Sequence, residues 1–559
     1  MADARKTRIQ SAQNDDFIAQ GAILAVATVL TKVIGVIYRI PLANILGDAG
    51  NGFYGYAYQI YAMALMVSSL SLPTAVSKLV SARLAAGQKR NSVRVFRCSM
   101  VFAVVVGTVI TAAVFFGADA ISVYAMKSPL SVYALKMLAP GLFLVAVMAV
   151  IRGYFQGLGS MMPTAVSQII EQLIRAVISI AGAGIFVDMG TRAGEKAGEE
   201  LLGPAYGAAG ATLGTVLGAL IALIFLFFVV WAYRGKMNRQ YRTDRSGKED
   251  SYRHILKVLV LTAVPILFST AIYNINQILD LTIFNHIMDA QGYVEEEYMA
   301  LQGIYSGKYD TLVNVPLSIP WALCSSVVPS LTAAVATRSR KLVHEKIDQT
   351  LRLTMVITIP CGVGFLVLAS PLMVLLYNDA SKTPAYLLML GSVVVVLYAW
   401  SSISNSILHG LNHISSPAKN ACIALVVHLI AFVLMMTAFK MNVYALAAGN
   451  IVFAACMCWL NQRKVHKVCG FRMNIMDTFV KPLIASAVMG IVAYGVYFGL
   501  DHLIGGRWIP TIIAIIIAML VYVAVVLKIG TLSDADIEAL PMGARLLRLS
   551  RKLRLMPAE

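Results

Sequence analysis

The chain has 559 residues, of which 58% are hydrophobic and only 13% are charged, about half the charged fraction of an ordinary soluble domain. This composition excludes a large soluble enzyme and indicates a polytopic membrane protein. The net charge of +18 is carried mainly by short loops between apolar runs, so we interpret it as membrane topology and expect no nucleic-acid partner. The seven cysteines form no CxxC pair, and we interpret them as small hydrophobic residues.

Fourteen apolar spans follow one another along the chain, with lengths that suit a bilayer crossing. The polar segment 1–16 lacks a signal-peptide cleavage pattern, so we expect the first apolar segment to be retained. Basic residues concentrate in alternate loops, which predicts a multi-pass plasma-membrane protein with cytoplasmic N- and C-termini. The predicted spans are 17–46, 53–77, 95–117, 131–155, 163–187, 203–232, 254–288, 304–335, 352–376, 385–409, 418–439, 443–461, 478–500 and 509–529.

Motifs recur at an offset of about 250 residues, which indicates two parallel halves. The fourth and tenth spans are followed by similar Gly-Leu turns, FQGLGSMMPTA (155–165) and LHGLNHISSPA (408–418). The second and eighth spans share a pair of tyrosines four residues apart. Repeated halves with a polar interface are typical of transporters, in which the substrate binds between them.

We therefore predict an all-α polytopic membrane protein of about 14 transmembrane helices. Two parallel six-helix halves would surround a central cavity, and two extra C-terminal helices would follow. The predicted parts are a cytoplasmic N-terminus (1–16), an N-terminal lobe (17–232), a cytoplasmic basic linker (233–253), a C-terminal lobe (254–461), the two extra helices (478–529) and a cytoplasmic basic amphipathic tail (530–559).

The first span carries two cations on one helical face, Lys32 near its middle and Arg39 two turns later. Thr28 lies one turn before Lys32. A cation at mid-membrane depth costs about 3 kcal/mol on insertion scales, so a chain retains it where it faces a cavity or a partner. We predict that all three residues contact an anionic substrate. The alternative for Arg39 is that it snorkels to the lipid headgroups.

The fifth span carries a second polar stripe, formed by Gln168, Glu171, Gln172 and Arg175. Their spacing places them on one face of a helix, with Glu171 and Arg175 one turn apart and able to form an ion pair. The stripe is either a structural ion pair within the bundle or a wall of the substrate cavity. We include all four residues among the predicted substrate contacts.

Two smaller sets of polar residues complete the candidates. Asn276 and Asp280 share a face of the seventh span, and their hard oxygen atoms suit Na⁺. They form a candidate Na⁺ or proton coupling site, with an interhelical hydrogen bond as the alternative. Lys308 stands at the outer start of the eighth span, either as a substrate contact or as an interfacial charge. The chain contains no HExxH, P-loop or GxSxG motif, so we predict no catalytic residue and no other cofactor.

Several stretches resemble a known superfamily. LTKVIGVIYRIPLANILGDAGNGFYGYAY (30–58) is similar to the first-span signature of the MATE-like (MOP) flippases, and in particular of their stage V sporulation protein B and MurJ-type branch, the polysaccharide biosynthesis proteins. Further similar stretches are SLPTAVSKLVSARLAAG (71–87), RGYFQGLGSMMPTAVSQIIEQ (152–172) and DIEALPMG (536–543). The resemblance covers essentially the whole chain.

This resemblance implies cavity cations on the first, second and eighth spans. Lys32 falls at the first of these positions, because LTKVIG matches the family's LSRVLG, whereas Arg39 is displaced by one residue from the next. The region around Gln59 lacks the second-span arginine. The eighth-span arginine falls near Thr311, with Lys308 about one turn away. In related flippases the two extra helices form a groove for the lipid tail.

The resemblance further implies an alternating-access lipid flippase, a transporter and not an enzyme. It would export an undecaprenyl-pyrophosphate-linked oligosaccharide from the inner to the outer leaflet, with lipid II for peptidoglycan synthesis as the first expectation. The alternatives are a flippase for capsule, teichoic-acid or other polysaccharide precursors, and a MATE-type drug or cation antiporter. The expected partners are the lipid-linked substrate, membrane lipids and the cell-wall synthesis machinery.

Overall fold

The computed structural model describes residues 2–66, 72–244, 249–336, 338–413, 415–504 and 508–531. Side chains are described from residue 24 onward, except at 25, 240, 265–274, 322, 325, 326, 329, 333 and 336. Within these ranges the chain is helical and contains no strand, which confirms the predicted all-α class. The predicted amphipathic tail falls almost entirely outside the described residues.

The chain divides into two compact units, Met1–Gly303 and Ile304–Glu559. The N-terminal unit contains α1 (Ala2–Leu65), α2 (Leu72–Ala85), α3 (Lys89–Ala120), α4 (Val132–Gly157), α5 (Met162–Ala197), α6 (Leu202–Arg242), α7 (Tyr252–Ala290) and α8 (Glu295–Gly303). The C-terminal unit contains α9 (Asp310–Ala336), α10 (Arg340–Tyr377), α11 (Lys382–Gly410), α12 (Ser415–Thr437), α13 (Tyr444–Cys469), α14 (Lys481–Ile504) and α15 (Trp508–Ile529). The predicted lobes of six helices each stay a prediction.

Eleven helices of the described chain are long and apolar enough to cross a membrane. They confirm the prediction of a multi-pass membrane protein. The predicted count of fourteen spans is not confirmed. The first predicted span and the start of the second lie within a single stretch, Val26–Leu65, among these eleven. The predicted spans 254–288 and 304–335 correspond to α7 and α9, which are not among them.

A sharp bend at Gly47 separates the first two predicted spans within α1. Gly47 has φ 65° and ψ −178°, a conformation that glycine adopts and other residues avoid. The bend releases backbone carbonyls from the helical ladder. The side chain of Asn51 donates to the carbonyl oxygen atoms of Ala43 at 2.8 Å and Gly47 at 2.6 Å. The bend is therefore stable in a medium that supplies no water.

Small residues allow α5 and α6 to pack closely. A Cβ atom on Gly182 would lie 2.5 Å from the carbonyl oxygen of Gly210, so any larger residue would separate the two helices. The hydroxyl of Ser179 donates to the carbonyl of Ala211 at 2.7 Å across the same contact. Such contacts are typical of helix association in membranes, where small residues permit close packing of backbones. They fix the position of the polar stripe on α5.

The predicted basic linker is anchored by its acidic residues. Asp250 pairs with Arg83 at 2.7 Å, and Glu249 pairs with Arg94 at 2.7 Å and with Arg90. These contacts hold the start of α7 against the end of α2 and the start of α3. The linker is basic overall because its Lys and Arg residues outnumber these acidic ones.

The segment 289–298, which lies between two predicted spans, is only partly a loop, because α8 begins at Glu295. The Glu295 carboxylate is partly buried and accepts a hydrogen bond from Ser128 at 3.0 Å. Burial raises the pKa of Glu295 above its ordinary value, although the Ser128 hydrogen bond opposes the shift. Three consecutive glutamates here suit the first turn of a helix, where the backbone N–H groups favour negative charge.

Among the described residues of the C-terminal unit, two clusters of buried apolar residues join its helices. One joins α9, α10, α11 and α13 around Leu331, Leu351 and Ile407. The other joins α14 and α15 to α10, with Met489 and Tyr522 at its centre. The Tyr522 hydroxyl donates to the Val356 carbonyl of α10 at 2.6 Å. The two extra helices are thus packed on α10 and belong to the C-terminal unit.

Candidate functional site

A charged network lies between α4 and α5 of the N-terminal unit. Arg152 of α4 donates from Nη2 to Glu171 Oε2 at 2.9 Å and from Nε to Ser167 Oγ at 2.9 Å. Arg175 Nη2 lies 3.7 Å from the other carboxylate oxygen, Glu171 Oε1, which confirms the predicted pair one turn apart. The three charged side chains are 13% to 17% exposed. Two arginines therefore share one carboxylate in a largely buried position.

This network carries a net positive charge and an unused donor. Glu171 neutralises only one of the two guanidinium groups. The Nε atom of Arg175 is buried and has no hydrogen-bond partner in the described part of the chain. A buried donor without an acceptor is unfavourable by about 1–3 kcal/mol. Arg175 can therefore donate a further hydrogen bond, from Nε, to an anionic or polar group.

The Arg175 guanidinium interacts with tyrosines of α1. Tyr54 and Tyr58 stack with their ring centroids 6.0 Å apart, and Tyr58 and Tyr61 follow at 5.9 Å. Arg175 interacts electrostatically with Tyr38, Tyr54 and Tyr58. Tyr54, Tyr58 and Tyr61 are one helical turn or a little less apart, so α1 presents them as a row. Within this row Tyr54 and Tyr61 are buried, and Tyr58 is half-buried.

The predicted contacts of the first span lie on the same helix as this tyrosine row. Helix α1 approaches α5 closely at Gly35, where an added Cβ would lie 3.1 Å from Gln172 Nε2. Lys32 is exposed and lies three residues before Gly35. Arg39 is half-buried and interacts electrostatically with Tyr54. The structure thus brings the segment from Lys32 to Arg39 alongside the α5 stripe.

The remaining members of these two sets have separate environments. Thr28 is exposed, and its hydroxyl donates to the Leu24 carbonyl at 2.8 Å within the same helix. Gln168 is half-buried, and its Oε1 atom is buried without a hydrogen-bond partner in the described chain. Like Arg175, Gln168 therefore has unused hydrogen-bonding capacity on the polar stripe.

The proposed coupling pair lies on α7. Asn276 is 2% exposed and Asp280 is 3% exposed. The Oδ1 atom of Asn276 is buried without a hydrogen-bond partner in the described chain. The amide oxygen and the buried carboxylate, one turn apart, could together bind a cation, and the carboxylate could bind a proton. Among the described residues no group of three or more His, Cys, Asp or Glu could hold a metal ion.

Lys308 occupies a different environment in the C-terminal unit. It is 7% exposed and pairs with Asp379 through Nζ and Oδ2 at 2.6 Å. Burial raises the pKa of Asp379, but hydrogen bonds from Lys308 and Ser381 outweigh that effect and lower it below its ordinary value. Lys308 lies in a π-helical turn, Ile304–Tyr309, a geometry that is frequent at functional sites. Lys308 is therefore buried and paired, whereas an interfacial charge is ordinarily exposed.

Arg152 is a member of this network that the sequence did not predict as a candidate residue. It lies near the end of the predicted span 131–155. A cation at the end of a span is easily assigned to the loop that follows. Its partners on α5 are 15 and 19 residues away, beyond the reach of helical spacing. The signal that could have found it is the RGYFQGLG stretch, which the resemblance already contained.

Two relatives from Bacillus subtilis (strain 168) are similar over most of the chain. The protein named lipid II flippase MurJ is 24% identical over 488 residues, covering 84% of this chain and 86% of that protein. Stage V sporulation protein B is 22% identical over 537 residues, covering 95% of this chain and 99% of that protein. Both belong to the branch that the sequence resembles.

Solved structures share the fold. A lipid II flippase MurJ in an inward closed conformation aligns with a TM-score of 0.62 and 14% identity, covering 90% of this chain and 98% of that one. An inward-facing multidrug resistance MATE family transporter of the MOP superfamily also aligns with a TM-score of 0.62 and 14% identity, covering 78% and 95%. Fold similarity alone does not separate a flippase from a drug transporter.

The family assignment comes from the sequence match, which covers residues 17–334, more than half of the chain. The predicted resemblance is confirmed: the chain belongs to the polysaccharide biosynthesis protein family, within the MOP superfamily of membrane flippases.

Proposed function

We propose that this protein exports an undecaprenyl-pyrophosphate-linked oligosaccharide, with lipid II as the first substrate to test. The observation that carries the proposal is the net positive Arg152–Glu171–Arg175 network with its unused Arg175 donor. A pyrophosphate is a multiply charged anion that arginine binds well through paired N–H groups. Lys32 and Arg39 would add further positive charge along α1.

The membrane potential would favour this direction of transport. With the cell interior negative, outward movement of an anion releases about 2.3 kcal/mol per charge per 100 mV. The lipid tail would stay in the bilayer, in a groove formed by the extra helices (478–529), while the headgroup crosses. An alternating-access cycle therefore needs a further input only to reset the empty carrier.

The central test is removal of the cations one at a time. We expect Lys32→Ala, Arg39→Ala and Arg175→Gln each to abolish outward exposure of lipid II in cells depleted of their own lipid II flippase. Lys341→Ala is the matched control, because that side chain is 89% exposed and pairs only loosely with Glu345 at 4.0 Å. Membrane abundance of every variant is measured by immunoblotting. Normal flipping by the three cation variants would refute the proposed substrate site.

The same cells separate the alternative substrates. Rescue of growth with outward-exposed lipid II supports the peptidoglycan precursor. Failure of rescue combined with restored capsule or teichoic-acid export would support another lipid-linked polysaccharide precursor. Increased resistance to cationic drugs without either effect would support an antiporter, which the shared MATE fold allows but the cationic network disfavours.

We also propose that Asn276 and Asp280 couple transport to Na⁺ or a proton. The unsatisfied Asn276 oxygen beside a buried carboxylate supports this role. In proteoliposomes that hold a Na⁺ or a pH gradient, Asp280→Asn is expected to remove the gradient dependence of flipping. Retention of the full dependence would exclude the pair as the coupling site.

A further inference from the structure

An apolar groove lies on the C-terminal unit, between α10, α11 and the start of α13. It encloses about 490 Å³, within the range of small-molecule sites. Its lining residues are Leu366, Tyr386, Met389, Leu390, Met441 and Tyr444. The walls are almost entirely apolar, with two tyrosines as the amphipathic members. Leu366 is 50% exposed and Tyr386 is 48% exposed, so the groove is open to the surface of the protein.

The groove lies near one end of the helices that form it. Tyr386 lies one turn into α11, and Met441 and Tyr444 stand at the connection from α12 to α13. The α10–α11 and α12–α13 connections are separated by two membrane-spanning helices, so they emerge on the same face of the membrane. Tyrosine is enriched at the level of the lipid headgroups, because its ring is apolar and its hydroxyl is polar.

Two exposed lysines stand beside the groove at this level. Lys382 is one turn before Tyr386 on α11, and Lys440 immediately precedes Met441. Within the described part of the chain neither lysine forms an ion pair. The nearby carboxylate of Asp379 is engaged by Lys308 and by the backbone N–H of Ser381. The face therefore combines an apolar groove with two cations that no local acid neutralises.

We propose that this groove binds an anionic phospholipid, with an acyl chain against Leu366 and Leu390 and the phosphate near Lys382 and Lys440. The apolar walls match an acyl chain, and the unneutralised lysines match a negatively charged headgroup. Neither feature involves a residue that we assign to the translocated substrate. The site would hold a lipid of the surrounding leaflet.

Native mass spectrometry of the full-length protein in detergent tests this proposal. The probes are phosphatidylglycerol and phosphatidylcholine with identical acyl chains, added in equal amounts. Wild type should retain phosphatidylglycerol preferentially. In the Lys382→Gln/Lys440→Gln variant this preference should fall about 25-fold, because each lysine near an anionic headgroup contributes about fivefold in affinity. The matched control Lys464→Gln/Lys467→Gln removes the same charge at the other end of α13 and should leave the preference unchanged.

A second variant tests the acyl chain separately. Leu366→Trp fills the groove without changing charge and should reduce retention of both lipids. Unchanged preference in the double lysine variant, or unchanged retention in Leu366→Trp, would overturn the proposal. Displacement of phosphatidylglycerol by undecaprenyl phosphate at equal concentration would also overturn it, since the groove would then serve the carrier lipid. Flipping activity in the double lysine variant distinguishes this site from the proposed substrate site, and we expect it to be retained.

Discussion

The two units each place a polar network next to the repeated Gly-Leu turn, but only the network of the N-terminal unit is charged. Arg152 lies five residues before Gly157, and Asn405 lies five residues before Gly410. Arg152 bonds to Ser167 and Glu171. Asn405 instead accepts a hydrogen bond from Asn461 of α13 at 2.7 Å. The same position of the repeat is therefore ionic in one unit and neutral in the other.

The partners differ in the same way. Ser167 and Asn420 both lie ten residues after the repeated glycine, and Asn420 donates to Asn461 at 2.8 Å. Fourteen residues after the glycine, however, the N-terminal unit has Glu171 and the C-terminal unit has Ala424. Eighteen residues after it, Arg175 corresponds to the buried His428, which contacts the Gly449 carbonyl at 2.8 Å. At the matched positions the N-terminal unit has Arg152, Glu171 and Arg175, whereas the C-terminal unit has Asn405, Ala424 and His428.

This difference argues that the charges serve more than packing. A neutral amide network satisfies buried polar groups without the desolvation penalty of ions. Buried ion pairs add little net stability compared with well-packed neutral groups. A network with one more cation than anion is the less stable choice unless an anion binds to it.

Removal of the shared carboxylate should have the largest effect. Glu171→Gln would leave two buried guanidinium groups without a counter-ion, at a cost of about 3 kcal/mol in the free energy of unfolding. Thermal unfolding in detergent measures the loss. Glu345→Gln is the control, because its carboxylate is 59% exposed. The double variant Glu171→Gln/Arg152→Gln should recover part of the stability; no recovery would show that charge is not the cause.

The amide network of Asn405, Asn420 and Asn461 should contribute less to stability than the charged network. We expect it to have no role in transport. Asn461→Ala would remove the hydrogen bonds to Asn405 and Asn420, at a cost of about 2 kcal/mol. We expect flipping at the growth temperature to be retained, since no charge is lost. Asn474→Ala, at an exposed position, controls for loss of an amide. Loss of flipping without loss of thermal stability would give the amide network the functional role that we assign to α5.

The two repeated glycines should differ in tolerance. A Cβ on Gly157 would lie 2.7 Å from Val80 Cβ and 2.9 Å from the Ser77 carbonyl oxygen. A Cβ on Gly410 would meet the Leu331 side chain at 2.9 Å. We expect Gly157→Ala to lower stability by about 2 kcal/mol and Gly410→Ala by about 1 kcal/mol, because a side chain yields more easily than a backbone carbonyl. Equal losses in thermal unfolding would contradict this ranking.

The smallest effect should come from acid titration of the charged pair in the C-terminal unit. The pKa of Asp379 is lowered in the folded protein, so its contribution to stability is present above the ordinary value and is lost as pH falls through the folded value. The unfolding temperature of Asp379→Asn should therefore depend less on pH between pH 5 and pH 3, by about 1–2 °C. Asp477→Asn serves as the control. Identical pH dependence in wild type and Asp379→Asn would contradict the pairing.

The sequence predicted those features that depend on nearby residues. Long apolar runs fixed the all-α membrane class, and the spacing of Glu171 and Arg175 predicted their ion pair because both lie on one helix. Features that join distant segments were not accessible. Arg152 reaches Glu171 only because α4 and α5 pack together, and Lys308 meets Asp379 across 71 residues. An exposed Lys32 and a half-buried Arg39 could not be distinguished by spacing alone.

The bend at Gly47 limits how this chain can be altered or labelled. Residues 50–57 are buried, and the backbone near Gly50 and Gly52 packs against Pro204 and Met299. The Asn51 amide also requires Ala43 and Gly47 at fixed separations along the helix. An inserted residue would rotate everything beyond it by about 100° around the helix axis. We therefore expect the bend not to tolerate inserted tags, reporters or natural insertions. A hydropathy plot alone would suggest the opposite, because it shows a break between two spans at this point.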